Sequence, residues 1–332
     1  MSLLELDKLS VHYGSGRDRL VAVDNVSVSV PRGGTLGLVG ESGSGKSTLG
    51  RAIVGLLPIA GGALRLDGVD HTSKRARNAL AYRRRVQMVF QDPHSSLNPR
   101  MTVGETIGEA LRRREDVTRK GRRAEVARVL GLVGLPAAAI SRYPHQFSGG
   151  QRQRIAIARA LAVRPEVIVM DEVTSALDVS VQANILNLLK DLQREFGLSY
   201  LFISHDLSVV GLMSDEVAVM YLGQIVERTA SRALFTSPRH PYTHALISSI
   251  PRFSAERMPA PVRGDLPDPR NPPTGCRFHT RCPIGPNAVP DRLVCLEQDP
   301  HAIAEQQAHV AACHFAGQPP PATIVAPAAV ES

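Results

Sequence analysis

The nine-residue stretch GESGSGKST begins at Gly40 and has the spacing of a phosphate-binding loop. Four residues separate Gly40 from Gly45, and Lys46 and Ser47 follow directly. Glycines allow successive backbone N–H groups to turn toward one anion, and a helix that begins near Lys46 directs its positive end at the same anion. In such loops the lysine reaches the β- and γ-phosphates of a nucleotide, and the next hydroxyl binds Mg²⁺. The predicted nucleotide-binding residues are Gly40, Glu41, Ser42, Gly43, Ser44, Gly45, Lys46, Ser47 and Thr48.

A second candidate site lies at the end of the apolar stretch VIVMDE, residues 167–172. Ligands of parallel sheets bind at the carboxyl ends of the strands, where a phosphate loop also lies. Asp171 has the chemistry of a Mg²⁺ ligand, and Glu172 can orient or deprotonate a water molecule. A general base contributes a rate factor of ~10²–10⁴. The alternative interpretation, that the two acids cap a helix, explains less when a phosphate loop is present.

A third candidate site lies at the start of the predicted helix FSGGQRQRIAIARAL, residues 147–161. Ser148 and Gln151 form the Ser-x-x-Gln version of a capping box. Gly149 and Gly150 leave the first-turn N–H groups uncovered, so this helix end can bind an anion. A helix that needed only a cap would avoid the glycines, because each costs about 1 kcal/mol relative to alanine.

The order of predicted elements indicates an α/β protein. The first 35 residues are predicted strands, and VSVSV at 26–30 alternates as a half-buried antiparallel strand does. The strands EVIVMDE and SYLFISHD flank a helix at 180–196, which implies a parallel, doubly wound sheet.

An insertion and a C-terminal extension complete the predicted organisation. Lys46 and Asp171 are 125 residues apart, whereas a βαβ unit needs about 30. The helical segment at about 101–161 is the predicted insert. From about residue 236 the chain is rich in proline and poor in periodicity, so we predict one domain over 1–235 and an extension over 236–332.

The composition is that of an ordinary soluble protein, with 43% hydrophobic and 21% charged residues. The N-terminus does not resemble a signal peptide, and no apolar run reaches the roughly 18 residues of a membrane helix. We therefore expect a cytoplasmic protein. Much of the net charge of +8 lies in two arginine-rich segments, 74–85 and 111–123, which indicate either a nucleic-acid or anionic-membrane surface or solvated helix faces. Aromatic residues are only 4% and tryptophan is absent, so we predict no nucleic-acid partner.

These segments together resemble the ATP-binding subunit of ABC transporters over roughly residues 3–235. The resemblance implies a P-loop ABC ATPase core, with a mainly parallel sheet and an N-terminal antiparallel β subdomain. It also implies the inserted helical subdomain and the hydrolysis of ATP with Mg²⁺. The segments that carry the resemblance are Gly40 to Ser47, FSGGQ at 147–151, VIVMDE at 167–172, SALD at 175–178, and His205.

The resemblance also implies roles for individual residues. Gln91 would contact Mg²⁺ and the attacking water and would respond to the membrane subunits. It is therefore a candidate catalytic residue, together with Glu172. It is also a candidate Mg²⁺ ligand, together with Ser47 and Asp171. Tyr13 would stack on adenine, and His205 would contact the γ-phosphate. Two cassettes of this family enclose two ATP molecules. Residues of one cassette would therefore contact the nucleotide of the other, namely Ser148, Gly149, Gly150, Gln151 and Asp178.

The tail resembles the C-terminal extension of dipeptide and oligopeptide importer ATPases, through SPRHPYTHALISSIP at 237–251, GDLPDP and the cysteine-containing stretch. This implies two membrane permeases, a second and related ATPase subunit, an extracytoplasmic binding protein, and a peripheral location on the cytoplasmic face of the inner membrane. Dipeptides, longer peptides, glutathione and nickel remain possible substrates. A soluble ABC ATPase that acts on nucleic acid or ribosomes is the rival class.

All the cysteines lie in the tail, with five, twelve and seventeen residues between successive members: Cys276, Cys282, Cys295 and Cys313. The expected compartment disfavours disulfides, and inert thiols are a further alternative. Zinc usually takes cysteines two to four positions apart, whereas iron–sulfur clusters accept varied spacings. Arg277 and Arg281 are expected to lower the pKa of the neighbouring thiols. Because some ATPases of the resembled kind carry a [4Fe–4S] cluster on these cysteines, the resemblance implies such a cluster here.

Overall fold

The computed structural model describes residues 2–14, 16, 19–92, 96–112, 114–175, 177–250, 264–301 and 309–318. The chain divides into two compact units, residues 1–225 and 226–332. The domain boundary expected near residue 235 stays a prediction, because compactness alone does not test it.

The first unit begins with a four-stranded antiparallel sheet in the order β2-β1-β4-β5. Its strands are β1 (Ser2–Tyr13), β2 (Leu20–Pro31), β4 (Gly61–Leu66) and β5 (Val69–Asp70). Val26, Val28 and Val30 are buried on one face of β2, which confirms the predicted alternation. This sheet is the predicted N-terminal β subdomain.

A parallel sheet in the order β9-β3-β8-β7-β6 forms the rest of the core of this unit. Every residue of β3, β7 and β8 is buried, as expected when helices cover both faces of a parallel sheet. The five strands are β3 (Thr35–Val39), β6 (Val86–Val89), β7 (Val167–Asp171), β8 (Ser199–Ile203) and β9 (Glu216–Tyr221).

Eight α-helices occur among the described residues of the first unit. The insert between β6 and β7 is helical, as predicted, and contains α4, α5 and α6. The helices are α1 (Lys46–Ile53), α2 (Lys74–Asn78), α3 (Leu80–Arg85), α4 (Val103–Leu111), α5 (Arg122–Leu132), α6 (Gly149–Leu161), α7 (Val179–Phe196) and α8 (Leu207–Met213).

Capping side chains fix where two helices of the insert begin. Thr102 Oγ1 accepts from the backbone N–H of Glu105, and the Glu105 carboxylate accepts from the backbone N–H of Thr102. Ser148 and Gln151 form the same reciprocal pair at the start of α6. The capping box predicted at Ser148 is therefore confirmed, and α6 begins where the sequence placed it.

The second unit has little regular structure among its described residues. The strands β10 (Gln224–Ala230) and β11 (Val310–Ala311) pair antiparallel, and the helices are α9 (Ser231–Thr236), α10 (Pro241–Ser248) and α11 (Val294–Glu297). The buried carboxylate of Glu227 accepts from the backbone N–H groups of Arg239 and His240 and pairs with His309. No helix in the described part of the chain is long and apolar enough to cross a membrane.

Candidate active site

The phosphate loop lies between β3 and α1, and its glycines are required by close backbone contacts. The backbone φ of Gly45 is +105°, in the left-handed region. A Cβ at Gly45 would lie 2.3 Å from the carbonyl oxygen of Ala22, and a Cβ at Gly40 would lie 2.1 Å from that of Met220. The loop is therefore supported by residues from two distant strands.

The Lys46 side chain folds back over the phosphate loop. Its ammonium donates to the carbonyl oxygens of Gly40 and Glu41, both at 2.8 Å, and to Ser44 Oγ at 3.3 Å. Lys46 is only 4% exposed, and burial is the main cause that lowers its pKa. Because all three acceptors are neutral oxygen atoms, the positive charge can attract a phosphate at the loop.

Ser47 and Asp171 meet at the carboxyl end of β7. Ser47 Oγ donates to Asp171 Oδ1 at 2.8 Å. Asp171 is 2% exposed, and burial raises its pKa while the hydrogen bond from Ser47 lowers it. A buried carboxylate beside a hydroxyl is an oxygen donor set that Mg²⁺ accepts, so these two predicted ligands fit the ion.

Two predicted catalytic side chains approach one carboxylate oxygen of the third. Gln91 Nε2 donates to Glu172 Oε2 at 2.9 Å, and His205 Nδ1 lies 3.4 Å from the same oxygen. Glu172 has a φ of +47°, and its N–H donates to Ile203 O at the end of β8. Non-glycine residues in this region cost about 1–3 kcal/mol and cluster at active sites. Glu172 thus combines this backbone conformation with side-chain contacts to Gln91 and His205.

Tyr13 also lies near the phosphate loop. Its hydroxyl is 3.2 Å from Thr48 Oγ1, on the first turns of α1. The side chain stays 37% exposed, so the ring is accessible to a planar ligand. The sequence alone gives no signal for this residue.

Side chains cap the first turns of α6 and α7. Asp178 accepts from the N–H of Val181 at 2.9 Å and from Ser180 Oγ at 2.7 Å. The side-chain hydrogen bonds described for Ser148 and Gln151 are likewise between these two residues. Among the described residues, no hydrogen bond joins Ser148, Gln151 or Asp178 to Lys46 or Glu172.

Comparison with known proteins shows which family this chain belongs to. Residues 23–175 match the family described as ABC transporter. A protein of Brucella abortus named as a peptide import ATP-binding protein is 55% identical over 270 residues, which are 81% of this chain and 80% of that one. The chain belongs to the ABC transporter family. This ABC ATPase is also 48% identical over 299 residues to the oligopeptide transport ATP-binding protein AppF of Bacillus subtilis, with 89% of each chain covered.

Solved structures support the same conclusion for the fold and the activity. A dimeric ATP-binding cassette in a post-hydrolysis state, bound to ADP and Pi, has a TM-score of 0.63 and 28% identity. It covers 69% of this chain and 99% of its own. The dimeric structure of a bacterial ABC transporter cassette has a TM-score of 0.62 at 29% identity. The fold is that of an ABC cassette, as predicted, and the protein is an ATPase that uses ATP and Mg²⁺.

The tail of this ABC ATPase matches a second family description. Residues 226–288 match the oligopeptide/dipeptide transporter C-terminal region. The match begins at the first residue of the second compact unit.

The four cysteines lie in the second unit as free thiols. Burial, with a smaller contribution from the neighbouring cysteines, raises the pKa of Cys276 and Cys282 to about 12 and that of Cys313 to about 11. The expected lowering by Arg277 and Arg281 is therefore wrong, because burial outweighs positive charge. The cation whose charge does lower the pKa of Cys282, Cys295 and Cys313 is instead Arg292.

The described residues contain no group of three or more His, Cys, Asp or Glu side chains that could hold a metal ion. Cys276 and Cys295 are joined through the backbone, where the N–H of Cys276 donates to Cys295 O at 2.9 Å. The thiols act on one another electrostatically, but they do not form a single-ion site. The comparisons and the structure thus leave the iron–sulfur cluster without direct support.

Proposed function

We propose that this ABC ATPase hydrolyses ATP to drive the import of peptides through partner membrane permeases. The observation that carries the proposal is the match of residues 226–288 to the oligopeptide/dipeptide transporter C-terminal region. The names of both relatives, which refer to peptide import and oligopeptide transport, favour peptides over nickel or glutathione. The substrate itself would be bound elsewhere in the assembly, by an extracytoplasmic protein and the permeases.

The site geometry supports a division of labour among its residues. Lys46 would bind the β- and γ-phosphates, while Ser47, Asp171 and Gln91 would hold Mg²⁺, which supplies positive charge against the phosphates. Glu172 would accept the proton of the attacking water. Gln91 and His205, which flank Glu172 Oε2, would orient that water and contact the γ-phosphate. Tyr13 would stack on adenine.

The remaining site residues would act on a second cassette. Ser148 to Gln151 form a capped helix start with two glycines, and Asp178 caps the neighbouring helix. A helix N-terminus attracts phosphate, so this end of α6 would bind the γ-phosphate of the partner's ATP. We propose that the partner is a related but different ATPase subunit.

Three arginines of the two arginine-rich segments form ion pairs within the chain. Arg85 pairs with Glu166, and Arg84 with Glu115. The buried guanidinium of Arg114 pairs with Asp116, and it donates to Glu125 at 2.6 Å. These three charges are compensated within the chain, so they contribute less to the binding of a polyanion than the sequence suggests. We propose a peripheral location on the cytoplasmic face of the inner membrane.

Uptake by whole cells tests the proposal. A strain that lacks this chain is complemented with the wild type or with Glu172→Gln, and labelled dipeptide, oligopeptide, glutathione and nickel are supplied separately. We expect the wild type alone to restore peptide uptake. Restored uptake of nickel or glutathione without peptides would overturn the substrate class. Co-purification with RNA or ribosomes instead of permeases would overturn the transport function.

We further propose that the cysteines hold a [4Fe–4S] cluster that stabilises the second unit. Support comes from the donor set, four free cysteines in a unit with few regular elements, and from their mutual electrostatic effects. Cys276, Cys282, Cys295 and Cys313 would supply the four thiolates that such a cluster takes. The role would be structural or regulatory, because ATP hydrolysis transfers no electrons.

Anaerobic purification followed by iron and sulfide analysis tests the cluster. We expect about four of each per chain and a brown protein. A colourless protein with stoichiometric zinc, or without metal, would refute the cluster. Cys282→Ser should lower iron content and destabilise the second unit, and unchanged stability and uptake would refute the role.

A further inference from the structure

One arginine ties α6 to the segment that follows Gln91. Arg159 lies near the carboxyl end of α6, and its Nη1 donates to the carbonyl oxygen of Ser96 at 2.6 Å. The N–H of Ser96 in turn donates to Asp92 O at 3.2 Å, and Asp92 is the residue after Gln91. Through these contacts α6 holds the backbone beside the glutamine that meets Glu172.

The surroundings of Arg159 differ from those of an ordinary ion pair. The side chain is largely withdrawn from water, and this burial is the main cause that lowers its pKa. Glu109 is the acidic group that acts on it electrostatically, yet no carboxylate among the described residues lies within salt-bridge distance. A desolvated cation bonded to a neutral carbonyl contributes less to stability than an apolar side chain of similar size would. Such a residue is better explained by the position it fixes than by stability.

The helix α6 connects this contact to the second anion site. Ser148, its N-cap, and Arg159 are eleven residues apart on one continuous helix, a distance of about 16 Å. The Arg159–Ser96 bond therefore joins the helix that carries the proposed anion site to the segment that follows Gln91.

We propose that Arg159 is a positioning residue: its bond to Ser96 holds the backbone that follows Gln91 against α6 and so keeps Gln91 within reach of Glu172. The inference concerns hydrolysis and holds whichever solute is transported. It predicts that removing the Arg159–Ser96 bond slows turnover while the nucleotide still binds at Lys46 and Ser47.

A matched pair of variants on α6 tests the proposal. Arg154 lies on the same helix and also donates to a carbonyl, that of Val133 at 2.7 Å, but this contact is remote in sequence from Gln91. Arg159→Met and Arg154→Met thus remove equivalent bonds. Both are measured in the full chain together with the subunits that purify with it. The readouts are kcat and KM for ATP, and hydrogen–deuterium exchange of residues 86–112.

We expect Arg159→Met to lower kcat about tenfold or more, with KM within about twofold, and to speed exchange after Gln91. Arg159→Lys keeps a cation and a donor and should recover most of kcat. Arg154→Met should leave kcat within about twofold. Equal losses in both Met variants, or an unchanged kcat in Arg159→Met, would overturn the proposal. If Arg159→Met does not fold, Arg159→Gln makes the same comparison.

Discussion

At the scale of single residues, Glu172 has the geometry of a general base. Its Oε2 is bonded to Gln91 and faces His205, while its N–H is fixed to Ile203. Glu172→Gln keeps the size of the side chain but cannot accept a proton from water. We expect turnover to fall ~10²–10⁴-fold while ATP binding is retained. Steady-state hydrolysis and equilibrium nucleotide binding measure the two effects.

The matched control is Glu166, the acidic residue just before the amino-terminal end of β7. Glu166 pairs with Arg85 and lies far from the phosphate loop along the strand. Glu166→Gln should therefore change stability slightly and leave turnover near that of the wild type. Near wild-type hydrolysis by Glu172→Gln would show that another group accepts the proton.

At the scale of elements, the two glycines of α6 allow the effects of phosphate binding and of helix packing to be measured separately. A Cβ at Gly150 would lie 2.4 Å from Val181 Cγ1, whereas a Cβ at Gly149 would meet Leu177 at an ordinary 3.7 Å. We expect Gly150→Ala to lower the free energy of unfolding by about 1–3 kcal/mol, because Val181 is β-branched and cannot easily move. Gly149→Ala should preserve stability or raise it slightly.

Activity should show a different pattern from stability in these two variants. The methyl group of Gly149→Ala would cover first-turn N–H groups that we propose to face the partner's phosphate, so turnover of the assembled protein should fall. Thermal unfolding and ATP hydrolysis of both variants provide the comparison. A stable Gly149→Ala with full turnover would argue against an anion site at this helix end.

The N-cap of α10 gives the second unit a specific response to acid. His240 is fully buried, its Nδ1 accepts from the N–H of Tyr242, and burial lowers its pKa from 6.5 to about 3. The unfolded chain binds a proton more readily than the folded one between these values. The resulting stability is full above pH 6.5 and is lost as the pH falls toward 3, on the order of 5 kcal/mol in all.

His240→Asn isolates this contribution, because asparagine can also cap a helix but does not titrate. We expect the variant to lose stability less steeply than the wild type between pH 6.5 and 3.5. Chemical denaturation at several pH values measures the slope, and the difference between the two proteins removes the effect of the carboxylates. Parallel slopes would show that His240 is not the titrating group.

At the scale of the whole molecule, the sequence predicts what depends on local spacing. The residues of the phosphate loop and the two acids of β7 follow one another along the chain, so their chemistry could be recognised before any fold was known. The close contacts of Gly40 with Met220 and of Gly45 with Ala22 could not be recognised in this way, because they involve strands that are distant in sequence. The thiol pKa values were mispredicted for a related reason: sequence shows neighbouring arginines but not burial.

The proposed dependence on a partner chain is a property of the whole assembly. The described hydrogen bonds of Ser148, Gln151 and Asp178 stay within their own segments, so Lys46 and Glu172 of one chain form half of the proposed site. Turnover per molecule of the isolated chain should therefore be low and should rise with protein concentration. Addition of the related ATPase subunit should increase it further.

Trapping of the dimer provides the independent measurement. Glu172→Gln with MgATP should elute as a dimer in gel filtration, because each ATP would be held between two chains and not released by hydrolysis. The double variant Ser148→Ala/Glu172→Gln should dimerise more weakly, because the helix that binds the second face of the nucleotide loses its N-cap, a change that costs about 1 kcal/mol. Turnover per molecule that stays constant over a hundredfold dilution, together with monomeric Glu172→Gln at saturating MgATP, would show that one chain contains a complete site.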